Sequence, residues 1–232
     1  LAWNKETNEF RSGQVDAGEG FEYWLMKFDG ITGSSDTEVA TPKGYGKIEY
    51  AYHLMAVEAG IEMTTCRLHH EGGRSHFMTK RVDRSKNGKK LHLQSLGAMA
   101  HYDYRQPASY SYEQAIQVIR RIGLPRKDMD QQVLRAIFNV VGRNCDDHVK
   151  NIAFLMNRRG DWRLSPAFDI SDGFEREDLL MLAKTAGIKK SHAEKMIQRV
   201  IEVVSRWLDF AGKAGVNDEQ ANKIHASHRT KL

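Results

Sequence analysis

Arg143-Asn144-Cys145-Asp146-Asp147-His148-Val149-Lys150-Asn151 is a polar run set between two apolar segments of different periodicity. Before it, Val133, Leu134, Ile137, Phe138, Val140 and Val141 recur at helical spacing and predict an amphipathic helix over residues 128–141. After it, residues 152–156 form a short apolar run that predicts a strand. The turn Asn157-Arg158-Arg159-Gly160 then reverses the chain into Trp162-Arg163-Leu164, a second strand. Ser165-Pro166-Ala167-Phe168-Asp169-Ile170-Ser171 follows and puts a lone aspartate at the hairpin's far end. Helix, polar loop, hairpin and terminal aspartate make one unit, and the rest of the chain is read outward from it.

Upstream, Phe21-Glu22-Tyr23-Trp24-Leu25-Met26-Lys27-Phe28 predicts a strand, Asp29-Gly30 a turn, and residues 32–45 a loop. Ile48, Ala51, Tyr52, Met55, Ala56 and Ala59 sit at helical spacing, and Gly60 stands where a helix end favours a left-handed residue. Residues 63–69 and 75–82 predict two strands around the turn Glu71-Gly72-Gly73. Downstream, helices are predicted over residues 112–121 and 175–186. Ser191 with Glu194 reads as a capping box that opens a long helix through Ile197, Val200, Val204, Trp207 and Phe210. A β-rich first part thus precedes an α-rich second part. This is an α+β pattern, with domains expected at 1–84 and 85–232.

Composition narrows the classes without choosing among them. No apolar run approaches the roughly 18 residues of a membrane span, and residues 1–14 are too polar for a secretory leader. Cys66 and Cys145 are the two cysteines, far apart in sequence. Neither a disulfide framework nor a thiolate metal site is expected, and a reducing cytoplasm fits. A net charge of +5 is compatible with nucleic acid, phosphates or acidic proteins. No helix-turn-helix pattern accompanies it, so direct DNA binding is not expected of this chain.

The polar run has the residue types that phosphoryl transfer needs. A carboxylate must orient the attacking hydroxyl and take its proton, while an asparagine and a second aspartate hold magnesium against the phosphates. Asp146 and Asn151 are five positions apart, the D-x-x-x-x-N spacing of a kinase catalytic loop. Asp169 lies 23 positions beyond Asp146, a length that one short hairpin can fold back. The spacing alone is common, because Asp- and Asn-rich turns hydrogen-bond their own backbone. The full set of Asn144, Asp146, His148, Lys150, Asn151 and Asp169 is far rarer.

With its following Leu164-Ser165-Pro166-Ala167-Phe168-Asp169-Ile170, the string N-x-D-x-H-x-K-N resembles the catalytic and metal-binding motifs of the HipA toxin kinases. Residues 23–29 resemble that family's lysine-bearing strand, 46–60 its next helix, and 79–84 its inter-lobe segment. His92-Leu93-Gln94-Ser95-Leu96 lies where the family enters its helical lobe. The resemblance implies a bilobed protein-kinase-like fold of HipA type, with a β-rich amino-terminal lobe and a mainly helical carboxy-terminal lobe. It implies ATP and Mg2+ as cofactors and a serine or threonine hydroxyl on a protein as acceptor. Asp146 would be the base, His148 and Lys150 would steady the γ-phosphate or the loop, and Asn151 and Asp169 would bind magnesium. Lys27, oriented by Glu49, would contact the α- and β-phosphates, and the backbone of Lys80 and Val82 would hold adenine. The family further implies the toxin half of a bacterial toxin–antitoxin pair. Its partner would be a small DNA-binding antitoxin of HipB type, through which DNA association is indirect, and its substrate class would be an aminoacyl-tRNA synthetase.

Two features depart from that family. No Gly- and Ser-rich phosphate loop precedes Lys27, and only residues 170–174 separate Asp169 from the next predicted helix. Such a loop would supply backbone N–H groups to the phosphates. The expectation is that the natural protein carries further segments. Two other readings stay open on the residues alone: a catalytically impaired kinase-like regulatory module, and a small-molecule phosphotransferase.

Overall fold

The computed structural model describes residues 1–30, 43–85, 88–102, 111–143, 150–168 and 176–232. These form two compact units. The first comprises Leu1–Met55, Thr64–Lys90 and Trp207–Ile224, and the second Ala56–Met63, Leu91–Arg206 and His225–Leu232.

The first unit is built on five strands: β1 (Ala2–Asn4), β2 (Phe10–Arg11), β3 (Phe21–Lys27), β4 (Cys66–Glu71) and β5 (Arg74–Lys80). They form one antiparallel sheet in the order β2-β1-β3-β5-β4. Alternation along β3 sends neighbouring aromatics into different clusters. Tyr23 packs with Ala2 and Ala17, whereas Trp24 packs with Trp3 and Met78. The β4–β5 hairpin turns on Gly72 and Gly73, with φ of 54° and 74°, the positive pair that a two-residue hairpin turn demands.

Helix α1 (Tyr45–Ala59) follows β3 and closes at Gly60, where φ is 96°. The Ile61 N–H reaches back to the Ala56 carbonyl at 3.1 Å, satisfying a last-turn acceptor. Near the other end, Gly46 lies so close to β5 that a Cβ there would stand 2.4 Å from the Ser75 carbonyl oxygen. Only glycine lets the helix approach the sheet at this point.

In the second unit, β6 (His92–Ser95), β7 (Ala153–Met156) and β8 (Trp162–Leu164) make an antiparallel sheet in that order. Its helices are α2 (Leu96–Ala100), α3 (Tyr112–Arg121), α4 (Arg126–Gly142), α5 (Arg176–Thr185) and α6 (Lys190–Val204). Every residue of α4 from Gln132 to Gly142 is buried, against α3, α5 and α6. A helix buried on all sides is the centre of its unit.

Two expectations about the carboxy-terminal helices are corrected. Ser191 caps nothing, because α6 starts at Lys190 with Lys189 in the cap position and no side-chain cap bond. The helix begins two residues sooner, directly after buried Ile188 and its cap Lys189. The long helix to Phe210 is two helices. The Ser205 hydroxyl donates to the Ile201 carbonyl at 2.7 Å where α6 ends, and α7 (Trp207–Ala214) begins anew. Trp207 is fully buried in the first unit and donates its Nε1 hydrogen to the Ala221 carbonyl of α8 (Asp218–Ser227) at 2.9 Å.

Candidate functional site

Lys27 ends β3 and Glu49 lies in the second turn of α1. Their side chains meet, with Lys27 Nζ 3.2 Å from Glu49 Oε2. The meeting depends on both elements being fixed against β5. Lys27 faces Phe77 in the β3–β5 register, while Gly46 seats α1 on Ser75. A second link joins the same pieces: the Asp29 N–H donates to His76 Nδ1 at 2.9 Å, and Asp29 Oδ1 accepts the Gly44 N–H at 2.7 Å. Asp29 and His76 are both buried. Sequence reading took Asp29 only as a turn residue and made nothing of His76. The signal available was slight, a histidine beside Phe77 and Met78 in a strand that is otherwise polar.

Lys80 closes β5. Its backbone N–H donates to the Thr65 carbonyl at 2.9 Å and its carbonyl accepts the Thr64 hydroxyl at 2.7 Å, while its Nζ pairs with Glu22. Among the described residues, the backbone groups of Val82 form no hydrogen bond. The chain beyond is pinned by Asp83, which takes a two-point contact from Arg81 (2.8 and 2.6 Å) and a third from Arg84 (2.6 Å). Burial alone would raise the Asp83 carboxyl. The hydrogen bonds and charge of Arg81, with the charge of Arg84, outweigh it and hold the group below its usual range. Behind this edge, burial pushes the Cys66 thiol up to about 12, so it is an inert apolar group.

In the second unit Lys150 is exposed, and Asn151 is buried just before β7. The backbone around it is held by the Leu96 N–H on the Ile152 carbonyl (2.7 Å) and the Ser165 N–H on the Ala153 carbonyl (2.8 Å). Asp146, His148 and Asp169 lie outside the described residues, as does Cys145. The segment leading to position 169 is fixed at successive points. Asp128 accepts the Leu164 N–H at 2.9 Å, Arg135 donates to the Ser165 carbonyl at 2.8 Å, and the Ala167 N–H donates to the Glu62 carbonyl at 2.9 Å. Arg135 was overlooked in the sequence, although an arginine among Val133, Leu134, Ile137 and Phe138 marks a buried cation with a fixed task. Among the described residues, no group of three His, Cys, Asp or Glu side chains is placed to hold a metal. No helix among them is long and apolar enough to cross a membrane.

The predicted site residues thus fall in two places. Lys27, Glu49, Lys80 and Val82 belong to the first unit, and Lys150 and Asn151 to the second. The lysine–carboxylate pair, the unengaged backbone of Val82 and the buried Asn151 amide are groups suited to a polyphosphate, a base edge and a hard cation.

Comparison with known proteins gives three findings. The family described as "HipA-like C-terminal domain" matches residues 2–231. The chain is 23% identical over 201 residues to a Sinorhizobium fredii (strain NBRC 101917 / NGR234) protein named "Putative kinase Y4mE". That match takes in 80% of this chain and 46% of the relative, so the chain spans about half the length of this curated protein. The fold is shared with a chain of the solved complex described as the Shewanella oneidensis MR-1 toxin antitoxin system HipA, HipB and its operator DNA. There the TM-score is 0.60 at 14% identity, over 97% of this chain and 65% of the other.

Proposed function

This chain belongs to the HipA-like C-terminal domain family, and from that premise we propose that it is a serine/threonine protein kinase, transferring the γ-phosphate of ATP to a protein hydroxyl. The observation that carries the reading is the Lys27–Glu49 pair at 3.2 Å. A strand lysine held by a helix glutamate is how protein kinases present an ammonium group to the α- and β-phosphates. The buried Asn151 amide and the Val82 backbone support the same reading.

In this reading Lys27 binds phosphate, Glu49 orients Lys27, and the backbone of Lys80 and Val82 receives adenine. Lys80 contributes through its carbonyl, whose second lone pair remains after the Thr64 contact, since its N–H is engaged with Thr65. Asp146 accepts the proton of the attacking hydroxyl, and His148 and Lys150 steady the γ-phosphate. Asn151 and Asp169 would hold Mg2+, which neutralises charge on the phosphates when bound. Arg135 and Asp128 act at a distance by holding the segment that ends at Asp169. The acceptor class is an aminoacyl-tRNA synthetase, and the partner is a small DNA-binding antitoxin of HipB type that brings the protein to DNA. These two assignments rest on family resemblance.

The test is transfer of radiolabelled phosphate from ATP and Mg2+ into a host-cell lysate, run with the full-length protein and its Asp146→Asn variant. A labelled protein band is expected, absent in the variant, with ATP affinity nearly unchanged because the base acts on the acceptor. Equal labelling by the variant would remove Asp146 from its role. ATP binding without any labelled protein would move the assignment to a regulatory module or a small-molecule phosphotransferase.

A further inference from the structure

Apart from the Lys27–Glu49 pair, the first unit carries a recess of about 440 Å³ walled by α1, β4 and the end of α7. Lys47, Arg67, His70 and Lys213 line it, with Tyr50 and Gly215, and no carboxylate is among its lining residues. Among the described residues, none of Lys47, Arg67 and Lys213 forms an ion pair with a carboxylate. Arg67 is held in place by stacking, its Cζ 3.8 Å from the centre of the Trp3 ring. His70 is anchored to Ser75 by a 3.0 Å hydrogen bond. A Cβ at Gly215 would stand 3.8 Å from Lys47 Nζ, so a backbone without side chain leaves that ammonium approachable.

Three full positive charges around one recess repel one another. The carboxy-terminal end of α7 offsets them only in part, since a helix terminus amounts to about half an elementary charge. The surplus is positive and invites an anion. Because the recess is walled by three different elements, it suits a compact ligand better than an extended chain. The volume also falls within the roughly 300–1,000 Å³ of small-molecule sites. Lys47 and Lys213 bring point charges that suit phosphate oxygens, while Arg67, its guanidinium stacked on Trp3, adds to the positive field. We propose that this recess, formed by Lys47, Arg67, His70 and Lys213, is a second ligand site that binds a compact phosphate-bearing small molecule.

The experiment is calorimetric titration of inorganic pyrophosphate into the whole chain without magnesium, beside Lys47→Ala/Lys213→Ala, Lys213→Glu and Lys27→Ala. Saturable binding is expected that weakens with salt. It should fall about tenfold or more in the double variant, a loss of about 1.4 kcal/mol or more. Lys213→Glu, a change at an exposed position, should lower it likewise, and the binding that survives Lys27→Ala should be the component that the recess variants abolish. Binding lost in Lys27→Ala but kept in the recess variants would overturn the proposal, because the anion would then sit at the kinase lysine. No saturable binding would also overturn it. So would binding of a random-sequence DNA duplex, weakened in the Lys47→Ala/Lys213→Ala variant, by a chain that ignores pyrophosphate, which would make the patch a nucleic-acid contact.

Discussion

Lys27 and Glu49 are 22 positions apart in sequence and both remain partly exposed, at 53% and 31%. An exposed pair of this kind contributes about 0–1 kcal/mol to folding. Its removal therefore tests function and leaves the fold alone. Glu49→Gln is expected to keep the melting temperature within a few degrees while lowering kcat/KM for phosphate transfer by about tenfold or more. Lys27→Ala should go further and weaken ATP binding itself. Calorimetric melting beside nucleotide titration checks both; a Glu49→Gln protein with full transfer would show that Lys27 needs no partner. Lys27 and Glu49 were legible as a pair only through the resemblance to the HipA kinases, carried by the strand and helix that bear them. The sequence said nothing of the buried Asp29–His76 link that joins β3, β5 and the start of α1. A histidine whose ring nitrogen accepts a backbone N–H across 47 positions leaves no periodic trace in sequence.

Elements decide whether such a pair can form, and α1 is the element that matters here. In an exposed helix, glycine to alanine would stabilise by about 1 kcal/mol. At Gly46 the added methyl meets the Ser75 carbonyl at 2.4 Å, a backbone atom that cannot swing aside. Overpacking of this kind costs about 1–3 kcal/mol, so the clash wins. Gly46→Ala is expected to lower the urea midpoint and to reduce phosphate transfer together, because the helix carrying Glu49 must shift. An unchanged midpoint would mean that α1 moves freely against β5. Hairpins and helices with clean periodicity were legible: the Gly72-Gly73 turn, α4 and the β7–β8 hairpin all stand where the pattern put them. Helix starts were less so. Ser-Tyr-Glu-Gln at 111–114 forms a true capping box, with the Ser111 hydroxyl accepting the Gln114 N–H at 3.3 Å and the Gln114 side chain accepting the Ser111 N–H at 2.8 Å. The same signature at Ser191 and Glu194 forms none, because burial of Ile188 sets the start of α6.

Across the whole molecule, buried His53 and half-buried His228 make stability depend on pH. Burial lowers His53 in the first unit to about 4, and burial with neighbouring His225 lowers His228 in the second to about 4. An unfolded histidine titrates near 6.5. Between those values the unfolded chain binds protons that the folded chain refuses. The stabilisation is therefore full above about pH 6.5 and is lost as pH falls toward 4. Asp83, depressed by Arg81 and Arg84, extends the loss below the ordinary carboxylate range. Urea midpoints measured from about pH 7.5 to 4.5 should fall steadily, and His53→Gln should flatten the slope. A midpoint that rises in acid would mean that these rings are solvated in the folded chain.

The sequence by itself determined the element types, the β-rich then α-rich order, the polar run between a helix and a hairpin, and through its motifs the family. Those features are local, set by hydrophobic period, turn chemistry and residue spacing over a few positions. Tertiary structure alone decided that Lys27 meets Glu49, that Gly46 must be glycine and that α7 joins the first unit through buried Trp207. It also gathered Lys47, Arg67, His70 and Lys213 around one recess. Each of these joins residues far apart in the chain, where packing and charge act through space and neighbouring residues carry no record of them.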